Sequence, residues 1–190
     1  MFRFSSSIVI LLFLSLTSCT NIMHAVRDEP YQPDPSETSI GTDIDDFQME
    51  THIGVNIKKA SPQLESAHIN VNAYNGVVLL TGEVPNESLR SLAGNTARAY
   101  RGVRLVHNEL SIEGASSFLS RANDTWLRTK LRTKIIANDQ VRTTTVKIVV
   151  ESGSVFLMGI LPRNEADRAA QIASNTGGVN RVVKLFEYLE

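Results

Sequence analysis

The chain has 190 residues, 42% of them hydrophobic, with 19 Lys and Arg against 20 Asp and Glu, a formal net charge of −1. Such a balance gives no overall polybasic character, and the single cysteine excludes an internal disulfide or a cysteine metal cluster. The length allows one large domain or two small ones.

Residues 1–18 read as a secretory leader: Arg3 precedes an apolar run, Ile8 to Leu16, too short to span a bilayer as a helix. The run ends in Leu16-Thr17-Ser18-Cys19, which resembles the lipobox of bacterial lipoproteins, so Cys19 is the expected lipidation site and mature N-terminus. Two acyl chains already anchor stably at about 0.8 kcal/mol per buried methylene. Thr20 rather than Asp follows the cysteine, which by the same resemblance sends the protein to the periplasmic face of the outer membrane. Residues 19–41 hold Pro30, Pro33 and Pro35 among acids and few apolar side chains, the composition of a flexible tether. Some twenty such residues span roughly 25 Å as a coil.

Residues 42–113 form the first expected domain. Met49, Ile53 and Ile57 recur every four residues behind Asp45 and Asp46, which predicts a helix over about residues 45–59 with the acids capping or preceding it. Strands over 68–74 and 77–82 flank Asn75-Gly76, a pair suited to a type I′ hairpin turn because both central residues need positive φ. A helix over 87–100, closed by Gly102, and a strand over 103–112 complete the unit. Residues 114–122, GASSFLSRA, read as a linker, with Phe118 and Leu119 available to dock between domains.

The second expected domain, residues 123–190, repeats that order: helix 124–137, strands 144–151 and 154–160, helix 163–176 with Gly177-Gly178 at its C-terminus, strand 179–189. At an offset of 77, Asn75-Gly76 falls on Ser152-Gly153, Gly82 on Gly159 and Pro85 on Pro162, so the turn chemistry repeats along with the apolar residues. Each unit should pack two amphipathic helices on one face of a three-stranded mixed sheet, an αββαβ two-layer sandwich of the α+β class. Units of about 70 residues are modestly stable unless they pack together.

This pattern, with its glycine late in each hairpin, resembles the BON domain, a module of bacterial periplasmic proteins regarded as a phospholipid-binding fold. The fragments Asn123-Asp124-Thr125-Trp126 and Val155-Phe156-Leu157-Met158-Gly159 are similar to those of dual-BON outer-membrane lipoproteins. The resemblance implies anionic phospholipid (phosphatidylglycerol or cardiolipin) as partner and a part in envelope integrity at the division site. It also implies an influence on outer-membrane assembly or amidase-regulating proteins of peptidoglycan remodelling.

The two copies differ in charge. Residues 45–113 carry six bases against eight acids, whereas residues 121–190 carry eleven bases against seven acids. Much of the excess lies on the helix over 124–137. There Leu127, Leu131 and Ile135 align with Met49, Ile53 and Ile57, and Trp126 aligns with Gln48, so the indole is expected on the outer face beside Thr129, Lys130 and Thr133. Arg121, Arg128, Lys130, Arg132 and Lys134 are expected around it. Arg128 with Arg132 and Lys130 with Lys134 are like-charged i, i+4 pairs, and cations near a helix N-terminus oppose its dipole. An anionic lipid surface relieves both penalties, and an indole among cations suits a headgroup boundary.

Catalysis finds no comparable footing. His24, His52, His68 and His107 lack metal-ligand spacing, His68 and His107 read as strand-end surface residues, and neighbouring Asp45 and Asp46 point apart on a helix. No phosphate loop or nucleophile elbow is present. The expectation is a non-enzymatic protein without cofactor or metal. Export also argues against nucleic acid as the partner of the basic helix. The alternative is an adaptor that docks envelope proteins, with lipid contact incidental.

Overall fold

The structure, a computed structural model, describes residues 38–112 and 118–189, without the side chains of 118, 119 and 143. The expected leader, Cys19, most of the tether, the start of the linker and the docking of Phe118 and Leu119 lie outside these residues.

The first domain begins with α1 (Ile40–Ala60), five residues earlier than its apolar period predicts, because Ser39 caps it by accepting from the Thr42 N–H. The tether therefore ends at the cap rather than at residue 41. Met49, Ile53 and Ile57 face the core as expected. Asp46, however, is neither cap nor N-terminal: it is buried within α1. A short helix, α2 (Pro62–Ser66), follows, with Ser61 as its cap and Pro62 at its first turn. Then come β1 (Ile69–Tyr74), β2 (Val77–Val84), α3 (Glu87–Arg98), β3 (Leu105–Asn108) and β4 (Ser111–Ile112). The central strand β2 runs antiparallel to β1 and parallel to both β3 and β4. The predicted strand over 103–112 is thus broken in two. At the break the Glu109 N–H still donates to the Leu80 carbonyl, while Leu110 enters the core.

The second domain has α4 (Phe118–Ile136), a 3-10 turn (Thr143–Thr145), β5 (Val146–Glu151), β6 (Ser154–Pro162), α5 (Arg163–Ser174) and β7 (Arg181–Leu189). Its sheet has the same mixed order, β5-β6-β7. Two expectations change. The second half of the linker is helical, since α4 starts at Phe118, and α5 stops at Ser174 with Asn175 as its C-cap, ahead of Gly177-Gly178.

Both hairpins turn through residues with positive φ, Asn75 and Gly76 at 50° and 74°, Ser152 and Gly153 at 49° and 73°. Each turn is held by the buried aspartate of its own domain. The Asn75 and Gly76 N–H groups donate to Asp46, and those of Ser152 and Gly153 donate to Asp124. The helix-to-strand offset between copies is therefore 78 at the aspartates and 77 at the turns; the extra residue of the first copy falls in the stretch holding α2.

The two domains pack sheet against sheet. Alternate residues of β2 and β6 that face away from the helices, Leu79, Phe156 and Met158 among them, join Val77 and Val149 in a third apolar cluster. This explains why β2 is buried along its whole length and why residues 77–80 and 155–158 are apolar without alternation. His107, in register with Leu79, shares that face and is half-buried, so it is not the surface residue its sequence position suggests. Polar contacts rim the cluster: Arg104 to Glu187, Arg181 to Glu109, Lys147 to Glu50, and Asn70 and Thr81 to Glu151. Among the described residues no helix is long and apolar enough to cross a membrane.

Candidate functional site

The outer face of α4 carries the candidate site. Leu127, Leu131 and Ile135 lie on the core side, fully buried. Trp126, at the place of exposed Gln48, is 57% exposed, and Ile136 is 59% exposed. Ten residues of helix put about 15 Å between them. Thr129 and Thr133 lie on the same face between them, each donating its hydroxyl to the carbonyl four residues back, at 3.0 Å. With these donors satisfied internally, the face presents methyl groups and costs less to take out of water.

The cations do not form the ring that the composition suggests; they divide. Lys130 places its ammonium 4.6 Å from the centroid of the Trp126 ring and also donates to the Gly177 carbonyl at 3.1 Å. Lys134 donates to the Thr176 hydroxyl at 3.0 Å. Both lysines thus sit against the turn after α5, where partial negative charge accumulates. Arg128 and Arg132 are on the opposite flank of α4, about 200° and 240° round from Trp126 at 100° per residue. Arg121 lies on that flank too, bordering a smaller pocket with Arg128. The dipole penalty expected of these bases is also smaller than predicted. With α4 starting at Phe118, only Arg121 falls near its N-terminus, and Lys134 is in the last turn, where a cation is favoured.

Arg128 and Arg132 face a groove of about 720 Å³ between α4 and α1, floored by β1 and β5. Phe47, 68% exposed, stands on the α1 side, and Ile136 on the α4 side. The groove's acids have partners. Asp46 receives the hairpin N–H groups, Glu50 receives the Ala73 N–H at 2.8 Å and the Lys147 ammonium, and Asp43 receives the Thr38 hydroxyl. Burial, together with Asp43 and Asp46 nearby, pushes the Tyr74 phenol up, so it keeps its proton. Arg128 and Arg132 have no ion-pair partner among the described residues.

Sequence reasoning missed Asp46 and Asp124 as turn anchors and missed the groove altogether. The aspartates left a signal, since both precede the first core residue of their helix by three positions. The groove left none, because it exists only once the two domains meet. Among the described residues, no three His, Cys, Asp or Glu side chains gather as metal ligands.

The sequence profile of the BON domain matches residues 45–114 and again 123–190. The chain belongs to the BON family. Among relatives of this BON protein, the outer membrane lipoprotein DolP of Haemophilus influenzae is 38% identical over 157 residues, 83% of this chain and 80% of that protein. A 21 kDa hemolysin of Actinobacillus pleuropneumoniae is 37% identical over 167 residues, 88% of this chain and 84% of its own. The osmotically-inducible protein Y of Escherichia coli is 29% identical over 152 residues, 78% and 75% of the two chains.

Proposed function

We propose that this BON protein is a non-enzymatic outer-membrane lipoprotein, acylated at Cys19, whose second domain rests on anionic phospholipid through α4. The observation that carries the reading is Trp126, an exposed indole under the Lys130 ammonium at one end of a face whose hydroxyls are already bonded. A lipoprotein anchor is supported by the Leu16-to-Cys19 motif and by the similarity to a protein named an outer membrane lipoprotein.

Magnitudes favour a weak contact made sufficient by the tether. A base near an anionic leaflet contributes at most about 1 kcal/mol. Lys130 and Lys134 are partly engaged by Gly177 and Thr176, so they contribute less than free lysines. The isolated affinity is then on the order of millimolar, and acylation supplies an effective concentration in about that range. Contact is reversible and senses lipid composition without the protein leaving the membrane. Support of envelope integrity at the division site, through assembly or amidase-regulating partners, belongs to the same reading.

Flotation of the soluble chain from Thr20 with vesicles tests it. Addition of phosphatidylglycerol or cardiolipin to phosphatidylcholine vesicles should bring the protein to the lipid fraction and shift the emission of the only tryptophan to the blue. Trp126→Ala with Lys130→Glu should abolish flotation. Binding that ignores anionic content, or survives that pair of substitutions, overturns the lipid reading in favour of the protein adaptor. Separately, Cys19→Ala should move the full-length protein out of the membrane fraction; continued sedimentation with outer membranes overturns the anchor.

A further inference from the structure

The outer face of α1 is apolar along most of its length. Ile40, Ile44, Phe47 and Val55 are 80%, 52%, 68% and 43% exposed. With Thr51, whose hydroxyl donates to the Phe47 carbonyl at 3.0 Å, they recur at intervals of four, three, four and four, a stripe about 22 Å long. At 100° per residue the stripe lies opposite Met49, Ile53 and Ile57, so α1 carries one apolar face for its own core and a second toward solvent. The second domain has no such stripe. At the offset of 78 that aligns the two helices, Ala122, Thr125 and Thr133 stand where Ile44, Phe47 and Val55 do. The common scaffold therefore does not require these residues, which expose apolar surface to water without adding to the core.

Charge indicates the occupant. Asp43 and Asp45 accompany the first turns of the stripe, Asp43 also bordering the groove toward α4, and Lys58 and Lys59 lie in the last turn of α1. An identical helix laid antiparallel brings acids to lysines at both ends and sets the two helix dipoles against each other favourably. In the register centred on Thr51, Phe47 of each molecule meets Val55 of the other, the Lys58 stem covers Ile44, and the small threonine pair lets the axes approach.

We propose that α1 pairs with α1 of a second molecule of this chain, antiparallel and through this stripe, in a two-fold, self-complementary contact. The patch is of the order of the largest apolar patch on a monomer, about 300–600 Å², and smaller than the ~800 Å² per partner of a stable complex. The pair is thus weak in dilute solution and forms where an anchor crowds the chains on one surface. It goes beyond the lipid contact of α4 and does not depend on it: Trp126→Ala with Lys130→Glu should leave the pairing intact.

The test places one thiol on the stripe. In outer membranes holding the full-length protein, oxidation of Thr51→Cys should give a disulfide-linked product of two chains, while the native chain, whose single cysteine is Cys19, should give none. Asn56→Cys, exposed on α1 but about 140° round from Thr51, should give none either. Phe47→Ala should reduce the Thr51→Cys product at least about fivefold without moving the melting temperature, because the ring lies outside the core. Asp43→Lys with Asp45→Lys, and Lys58→Asp with Lys59→Asp, each added to Thr51→Cys, should lose the product alone and recover it when the two variants are expressed together. Misfolding would give no such rescue. The soluble chain from Thr20 with Thr51→Cys should form the same product at roughly millimolar concentration, which separates the pairing from the anchor. Equal yields from Thr51→Cys and Asn56→Cys mean random collision and overturn the proposal, as does failure of the mixed variants to cross-link. A product whose mass fits one chain with a different protein assigns the stripe to that protein and overturns the second molecule. Absence of product, with Thr51→Cys shielded from a water-soluble maleimide only when vesicles are present, makes the stripe a membrane contact and overturns the pairing.

Discussion

Arg104 reaches across the domain boundary to Glu187, its two terminal nitrogens 2.9 and 2.7 Å from the two carboxylate oxygens. A second arginine, Arg181 of the second domain, reaches the other way to Glu109 of the first at 2.9 Å. The two are not equivalent positions: the Arg104 N–H donates to the Gly76 carbonyl as that of Asn180 donates to Gly153, which puts Arg181 at the place of Leu105. Leu79 and Phe156, which do hold the same place in the two copies, share the cluster between the sheets, so the sheets meet through equivalent faces while their rims differ.

The apolar cluster should dominate the stability of that arrangement. Phe156 is 2% exposed, and Phe156→Ala should cost about 3–5 kcal/mol. Arg104→Ala should cost only about 1 kcal/mol or less, because both members of its pair keep contact with water. Urea unfolding curves of the two variants check the order; equal losses would place the interface energy in its polar rim instead.

Acid should loosen the protein in two steps. Burial pushes the His107 imidazole below its ordinary value, so the unfolded chain takes up a proton first. The stability this neutral histidine secures is complete above about pH 6.5 and is lost as pH falls toward its folded value. Arg104 holds the Glu187 carboxyl down, chiefly by hydrogen bonding, so its contribution is complete above about pH 4.3 and lost on further acidification. His107→Gln should flatten the first step alone in a series of melts from pH 7 to pH 5.

Removal of either turn anchor should be expensive for its size. Asp46→Ala and Asp124→Ala each leave two hairpin N–H groups without their acceptor, about 2–4 kcal/mol by the usual cost of a buried unmet donor. The asparagine variants keep one acceptor oxygen and should recover part of that loss. Thermal unfolding of the four variants measures both effects.

The late glycines of the hairpins tolerate no side chain. A Cβ on Gly82 would lie 2.0 Å from the His68 carbonyl oxygen, and one on Gly159 2.2 Å from that of Thr145. Backbone on both sides of the contact leaves nothing soft to yield. Gly82→Ala and Gly159→Ala should each prevent accumulation of folded protein, whereas Gly177→Ala, with open space around it, should fold normally. Yields of soluble protein and circular dichroism distinguish the three.

Much of the scaffold was legible because each hairpin states its turn residues and each helix its core period. Trp126 could be placed outward because Gln48 occupies its position in the other copy. What escaped depends on contacts distant in sequence. The helix start at Ile40 carries no core residue in its opening turn, so the apolar period begins late. The expectation of helices on one face of each sheet left the other face open, although residues 77–80 and 155–158 are apolar without a break. The division of the cations was available from helical geometry alone, since Arg128 stands about 200° from Trp126. Their different surroundings, a helix end for the lysines and a groove between α1 and α4 for the arginines, were not.

The shared cluster of Leu79 and Phe156, which hold the same place in the two copies, also bears on how the halves can differ. Two modules that meet through equivalent surfaces have the geometry of a homodimer whose subunits were joined into one polypeptide. In such a dimer every substitution is made twice, and a tryptophan gained by one subunit is gained by both. Fusion lifts that constraint. One half can then carry Trp126 where the other carries Gln48, and an assembly of two like halves has a front and a back.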